Sequence, residues 1–315
     1  MRLGVDGRFF SDAQTLARGM GRYSLNQIES LREHRPDVEL LVLIRADGRD
    51  ALRRAAPGLT SAEIPEELCT PLSVPLTRGA RLAREAEYAG WLNGLGLDAL
   101  LATTPFVLSL EPYPPLPGAC PTIVNLYDLI PLVYRRHYLA RGSQAEREYF
   151  GVLERLQFGD AFVAISRFVQ REFSAYLGLP SRRIGVGYPL PARVFRRTPA
   201  VDVRATMARL GLARQAQEGF VLCVPHSHHS KNIRTLLDAW ALLPLEFRKR
   251  RSLVLTCDLV APYAEQLRTW IRSAGIEDEV VHTGFVSDVD LASLYTAAWV
   301  YVHPSRYEGF GLPLV

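Results

Sequence analysis

Over the last hundred residues, short apolar runs alternate with segments whose apolar positions fall three and four apart, the mark of strands and helices taking turns. Residues 220–224, Phe-Val-Leu-Cys-Val, read as a buried strand, and 233–243, apolar at 233, 236, 237, 240 and 243, as a helix packed on a sheet. A strand at 253–257 and a helix at 261–273 that stops at Gly275 follow, then a strand at 280–284. Ser287 or Asp288 caps a further helix through Leu291 and Leu294, and a strand at 299–303 closes the series. Four strands separated by three helices predict a parallel, doubly wound sheet.

The first half has the same style. Strands are expected at 2–5, 39–44, 99–102, 122–126, 161–165 and 184–186, and helices at 23–31, 76–95, 146–158 and 168–177. Residues 189–198 lack periodicity and carry Pro189 and Pro191, so they read as a linker between one domain over 1–190 and a second over 199–315. Residues 111–121 contain Pro112, Pro114, Pro115, Pro117 and Pro121, which predicts a surface loop.

Composition narrows the class. Hydrophobic residues are 48% and charged residues 22%, a balance that excludes disordered and fibrous chains. The net charge of +4, from 37 basic against 33 acidic residues, is too mild and too interspersed for a nucleic-acid groove. Cys69, Cys120, Cys223 and Cys257 are far apart, so neither a zinc site nor a disulfide framework is expected, and a reducing compartment fits best. The amino terminus reaches charge before a signal-peptide core can form, and no run of eighteen apolar residues follows, so the chain is expected in the cytoplasm.

In an open parallel sheet, ligands bind beyond the carboxyl ends of the strands. Two polar segments lie there: 226–232, and Pro304-Ser-Arg-Tyr-Glu-Gly-Phe-Gly-Leu-Pro313. Gly309 and Gly311 permit close backbone approach to a ligand, and Pro313 suits the first turn of a helix. By spacing alone, Glu308 is equally a solvated carboxylate on a tight turn, and Lys231 an exposed first-turn lysine. A dinucleotide site is disfavoured: Gly19 and Gly21 lack a third glycine, and no acid follows the second strand at Ile44.

The string from Glu308 to Pro313 resembles the signature of retaining glycosyltransferases of family 4, which have the GT-B fold of two Rossmann-like domains facing a cleft. Gly19-Met-Gly-Arg-Tyr23 resembles the family's glycine loop, which faces donor diphosphate and acceptor. Tyr127-Asp-Leu-Ile-Pro-Leu132 resembles its His-Asp-Leu-Ile-Pro-Leu segment, and Ser230-Lys-Asn-Ile its Arg-Lys-Asn helix start. The resemblance implies a metal-independent bacterial hexosyltransferase without a cofactor. Its substrates would be a GDP- or UDP-hexose, of mannose or glucose type, and a saccharide or lipid-linked saccharide in envelope or exopolysaccharide synthesis. Glu308, Lys231, Asp128 and Tyr127 are then the expected catalytic positions. Gly19, Gly21, His226, Asn232, Val286, Gly309, Phe310, Gly311 and Leu312 are the expected donor-binding ones. Lys231 meets the phosphates in a site where no metal neutralises them. Glu308 accepts sugar hydroxyls, and Asn232 binds the donor or only caps its helix.

The chain departs from the family pattern at three points. His226 stands where an arginine is usual, and Tyr127 where a histidine is usual. The family's second glutamate, eight positions after Glu308, falls one position beyond Val315, which predicts an incomplete second domain in a truncated chain. These departures keep open a degenerate, non-catalytic nucleotide-sugar-binding or scaffold protein. His226, His228 and His229 have no carboxylate or cysteine beside them in the loop, so no metal is expected. Arg78, Arg81 and Arg84 on one helix read first as a solvated face and second as a peripheral contact with the inner membrane face.

Overall fold

The computed structural model describes residues 1–17, 19–71, 77–106, 110–111, 113–226, 228–256 and 261–315. The sequence-predicted helix start at Leu76, Pro112 of the proline-rich segment and Cys257 lie outside these. Backbone contacts divide the chain into two units, Met1–Leu190 and Pro191–Val315.

In the first unit the strands are β1 (Arg2–Asp6), β2 (Glu39–Ile44), β3 (Thr60–Glu63), β4 (Thr70–Pro71), β5 (Ala99–Ala102), β6 (Leu110–Glu111), β7 (Thr122–Leu126), β8 (Ala161–Ala164) and β9 (Ile184–Val186). Seven of them form one parallel sheet in the order β3-β2-β1-β5-β7-β8-β9, while β4 and β6 pair antiparallel beside it. The near-continuous apolar run of β2 is what a strand covered on both faces requires. Leu41 and Leu43 pack with Tyr88 and Leu92 of helix Arg78–Gly94. Leu40, Val42 and Ile44 pack with Ile28 of helix Gly19–His34 and Leu52 of helix Arg49–Ala55. Alternate side chains thus meet helices on opposite faces, which is the doubly wound arrangement.

The second unit holds β10 (Phe220–Cys223), β11 (Ser252–Leu255), β12 (Val280–His282) and β13 (Val300–Tyr301), all parallel, in the order β12-β11-β10-β13. Val221, Cys223, Leu253 and Leu255 face Ile233, Leu237 and Trp240 of helix Ile233–Ala241 and Leu267 of helix Tyr263–Ala274. Phe220, Leu222 and Val254 face Met207 of helix Ala200–Arg209 and Leu294 of helix Asp288–Ala297. Ser287 caps that last helix, its hydroxyl accepting from the Asp290 amide.

Two expectations are corrected. Part of the proline-rich segment is core rather than surface: Tyr113 and Leu116 are buried, Leu116 packs with Tyr88 and Leu92, and the Pro114–Pro115 bond is cis. Proline density predicted an irregular backbone correctly and its location wrongly, because Tyr113 and Leu116 supply apolar surface that the sheet's helices need covered. The glycines at 19 and 21 lie in the first turn of helix Gly19–His34 rather than in a loop ahead of it.

At the end of β1 the chain buries an ion pair. Arg8 Nε and Nη2 both donate to Asp6, the shortest contact being 2.6 Å, and the guanidinium lies 4.5 Å from the Tyr113 ring centroid. Burial opposes the charge on Arg8, but Asp6 and the two neighbouring tyrosines outweigh it and raise its pKa.

Candidate functional site

In the second unit, the chemistry gathers where β10 and β13 run side by side, beyond their carboxyl ends. After β10 the chain turns through a short 3-10 segment, His229–Lys231. Asn232, the one non-glycine residue with positive φ among the described residues (φ 56°), then redirects it into helix Ile233–Ala241. Asparagine tolerates this left-handed backbone better than most residues. Its side chain makes no capping bond to the helix. Instead Nδ2 donates to the Pro304 carbonyl (3.1 Å), and Oδ1 accepts from Arg306 Nε and Thr235 Oγ1, each at 2.8 Å. The Arg306 amide also donates to the Ser230 carbonyl at 2.7 Å. Asn232 therefore clamps the two loops together, and of its two expected roles the helix cap is not made.

The clamp brings Lys231 to Glu308. Lys231 Nζ donates to Glu308 Oε1 at 2.6 Å, across 77 residues of sequence. His303, two residues past the end of β13, places Nε2 3.0 Å from the same oxygen, and its Nδ1 lies 3.0 Å from the Tyr301 hydroxyl. Burial works against the charge on Glu308, but the hydrogen bond from His303 and the Lys231 ammonium prevail and hold its carboxyl down at about 2. Glu308 is thus a carboxylate at any ordinary pH, an acceptor of hydroxyl protons rather than a proton donor.

Past Glu308, Gly309 and Gly311 are buried, and Gly311 takes φ +84° to enter a 3-10 turn, Leu312–Leu314. The expected first helical turn at Pro313 is this single turn. Tyr295 fixes it by donating from its hydroxyl to the Pro313 carbonyl (3.0 Å). Phe310 and Leu312 are half-buried. His226 stacks edge-on against His228, ring centroids 4.2 Å apart, in the loop after β10. Val286 packs against the Met207 and Leu294 side of the core, while its neighbour Phe285 is 75% exposed. Among the described residues no group of three or more His, Cys, Asp or Glu is placed to hold a metal ion.

The first unit gathers its expected residues at the carboxyl ends of its central strands. Tyr127, following β7, is buried, and its hydroxyl donates to the Thr103 carbonyl at 2.6 Å and lies 3.2 Å from Ser24 Oγ on helix Gly19–His34. Burial pushes the phenol well above its ordinary range. Asp128 accepts from the Ile130 amide at 2.9 Å, ordering the turn that follows. Gly21 is a packing residue: a Cβ there would sit 2.3 Å from the Thr15 carbonyl oxygen. Gly19 has open space around it. Sequence reasoning missed Tyr301 and His303, although the period of two along the strand at 299–303 puts both on one face.

Comparisons with known proteins agree with this architecture. Solved structures superpose on nearly the whole chain. HepE of Anabaena, determined in complex with UDP and glucose, does so with a TM-score of 0.64 at 20% identity, covering 98% of this chain and 76% of that one. WaaG, a glycosyltransferase involved in lipopolysaccharide biosynthesis, gives 0.60 at 15%, covering 100% and 77%. The chain has the GT-B fold of these structures, and its residues 209–315 match the family described as glycosyl transferases group 1. The serotype-specific mannosyltransferase WbdA of Escherichia coli is 31% identical over 195 residues, 61% of this chain and 23% of that protein. The O-antigen chain mannosyltransferase B of Escherichia coli is 39% identical over 108 residues, 32% and 26%. The chain spans about a quarter of the length of these curated mannosyltransferases.

Proposed function

We propose that this chain is a retaining, metal-independent hexosyltransferase. It moves a hexose of mannose or glucose type from a GDP- or UDP-sugar to a saccharide or lipid-linked saccharide in envelope or exopolysaccharide synthesis. The observation that carries this reading is the Lys231–Glu308 pair, 2.6 Å apart at the carboxyl ends of two neighbouring parallel strands. One member is a cation for a diphosphate leaving group, and the other a permanent carboxylate for sugar hydroxyls. The mannosyltransferase relatives favour mannose as the hexose.

In the reaction, the bond from the sugar's anomeric carbon to the donor phosphate breaks as the bond to the acceptor oxygen forms on the same face. The acceptor proton passes to a leaving phosphate oxygen, so no protein carboxylate pair is required. Lys231 stabilises the charge that develops on the diphosphate, where an oriented donor in a shielded site counts for most. Glu308 orients the hexose, with the backbone at Gly309, Phe310, Gly311 and Leu312 beside sugar and diphosphate. Asn232 positions Lys231, His226 faces the phosphates, and Val286 lies near the base. In the first unit, Gly19, Gly21, Tyr127 and Asp128 shape the acceptor side, with Tyr127 and Gly21 acting through the position of helix Gly19–His34. A peripheral membrane contact would use Arg78 and Arg81, both exposed beside Leu82, which is 56% exposed; Arg84 is tied to the Glu67 carbonyl. No helix among the described residues is long and apolar enough to cross a membrane.

Calorimetric binding of GDP, UDP, GDP-mannose and UDP-glucose to the wild type, Lys231→Met and Glu308→Gln tests the assignment. A charge-assisted hydrogen bond of ~1.5–3 kcal/mol corresponds to roughly ten- to 150-fold in affinity. Lys231→Met should lose that for nucleoside diphosphate and sugar nucleotide alike, Glu308→Gln for the sugar nucleotide alone. Wild-type affinities in both variants refute the assignment. Binding without transfer to any saccharide acceptor would favour the degenerate, non-catalytic reading.

A further inference from the structure

The donor-free site is arranged so that its cation and its carboxylate satisfy one another. On the reading above, the diphosphate takes the Lys231 ammonium, so Glu308 must give up a partner at the moment it is needed as an ordered acceptor. Its side chain is only 21% exposed, and a carboxylate in that setting without a donor is costly and free to turn. His303, whose side chain is 10% exposed, is a donor already in place on Oε1, and the Ser305 hydroxyl also helps hold the carboxyl down.

The bonds from Lys231 and His303 both end on Oε1, so Oε2 carries neither. His303 is itself held from behind. At 3.0 Å, Nε2 and a carboxylate oxygen cannot both be lone-pair acceptors, so Nε2 carries a proton, and in a neutral ring that is its only one. Nδ1 is then an acceptor, and the Tyr301 hydroxyl 3.0 Å away donates to it. Tyr301 is suited to remain a donor, because burial pushes its phenol far above the ordinary range. The Tyr295 ring, 5.2 Å away between centroids, helps close off the other side of Tyr301.

We propose that His303 is the positioning residue that keeps Glu308 oriented once Lys231 has turned to the diphosphate, and that Tyr301 sets its tautomer. This rests on the reading of Lys231 and Glu308 as donor-binding residues. His303 touches neither substrate in this scheme; it acts through the carboxylate. Glu308 can therefore exchange its cation for a substrate without losing its place, and Oε2 faces a hexose hydroxyl while Oε1 stays anchored.

Two measurements test the proposal. The first is nitrogen-15 NMR of the imidazole in the donor-free wild type, which needs no variant: Nε2 carrying the proton and Nδ1 accepting is expected, and a proton on Nδ1 of a neutral ring overturns the proposal. The second repeats the binding series with His303→Phe and His303→Gln, since a glutamine amide presents N–H near the place of Nε2. His303→Phe should weaken binding of whichever sugar nucleotide the wild type prefers by about tenfold, the scale of one hydrogen bond to a charged group, while GDP or UDP affinity stays within about twofold. His303→Gln should recover most of that loss. A purely structural histidine would lower both affinities together and would not be rescued. If Glu308→Gln is selective for the sugar nucleotide but His303→Phe is not, or glutamine fails to rescue, this proposal falls and the donor-site reading stands. If Glu308→Gln has no effect, the donor-site reading falls and takes this proposal with it.

Discussion

Glu308 offers a test of the site that needs no substrate. Its carboxyl is lowered from an ordinary 4.5 to about 2 in the folded chain, worth about 3 kcal/mol of native-state stability at neutral pH. The folded value lies below the unfolded one, so this stability is fully present above pH 4.5 and is lost as pH falls from there toward 2. At pH 3.5 the unfolded chain has largely bound the proton and the native chain has not, which removes about 1 kcal/mol. Glu308→Gln keeps the size of the side chain and abolishes this titration. Urea unfolding followed by tryptophan fluorescence is the assay, since Trp240, Trp270 and Trp299 lie in the second unit and only Trp91 in the first. At pH 7 the wild type should be the more stable, and its advantage should shrink by about 1 kcal/mol at pH 3.5. An advantage that is the same at both pH values would mean that His303 and Lys231 do not hold the carboxylate down.

Two further substitutions probe the first unit. Gly21→Ala places a Cβ 2.3 Å from the Thr15 carbonyl oxygen and 2.6 Å from the Leu16 Cα, both backbone atoms, so it should cost roughly 1–3 kcal/mol or more and lower the unit's melting temperature; an unchanged melt would show that the backbone at Thr15 and Leu16 has room to move. Arg8→Met leaves the Asp6 carboxylate, in a residue 4% exposed, without its ion-pair partner and should cost about 3–5 kcal/mol in urea unfolding, most of it recovered when Asp6→Asn is added.

The apolar rhythm foretold the sheet of the second unit almost strand for strand, because β10 and β11 are buried along their whole length and the edge strands β12 and β13, though only partly covered, keep apolar residues. It failed where burial does not shape the sequence. β3, Thr-Ser-Ala-Glu, is an edge strand with no buried residue, and helix Ala200–Arg209 buries only Thr206 and Met207. Of the site, Glu308 and Lys231 were legible through their motif, but their mutual bond was not, since it depends on β13 returning to lie beside β10. His303 and Tyr301 sat inside a run that reads simply as a closing strand. Their roles follow from the carboxylate they face. Tyr127 was legible as a position but not as a buried side chain with its hydroxyl committed to Thr103.

The order of strands in the second unit has a kinetic consequence. β10 is laid down first, yet its neighbour β13 is the last strand of the described unit, and β11 and β12 lie on the other side. Lys231, Asn232 and Ser230 therefore wait through the synthesis of some seventy residues for Pro304, Arg306 and Glu308. Loop closure over such a span adds entropy cost only slowly with length, but it must be met before any contact across the loop is gained. The clamp and the ion pair should accordingly be among the last contacts to form and among the first to open. Protection of the Arg306 amide, bonded to the Ser230 carbonyl, would then report whether the whole unit has closed, and a chain able to hold a donor would be one that has finished folding.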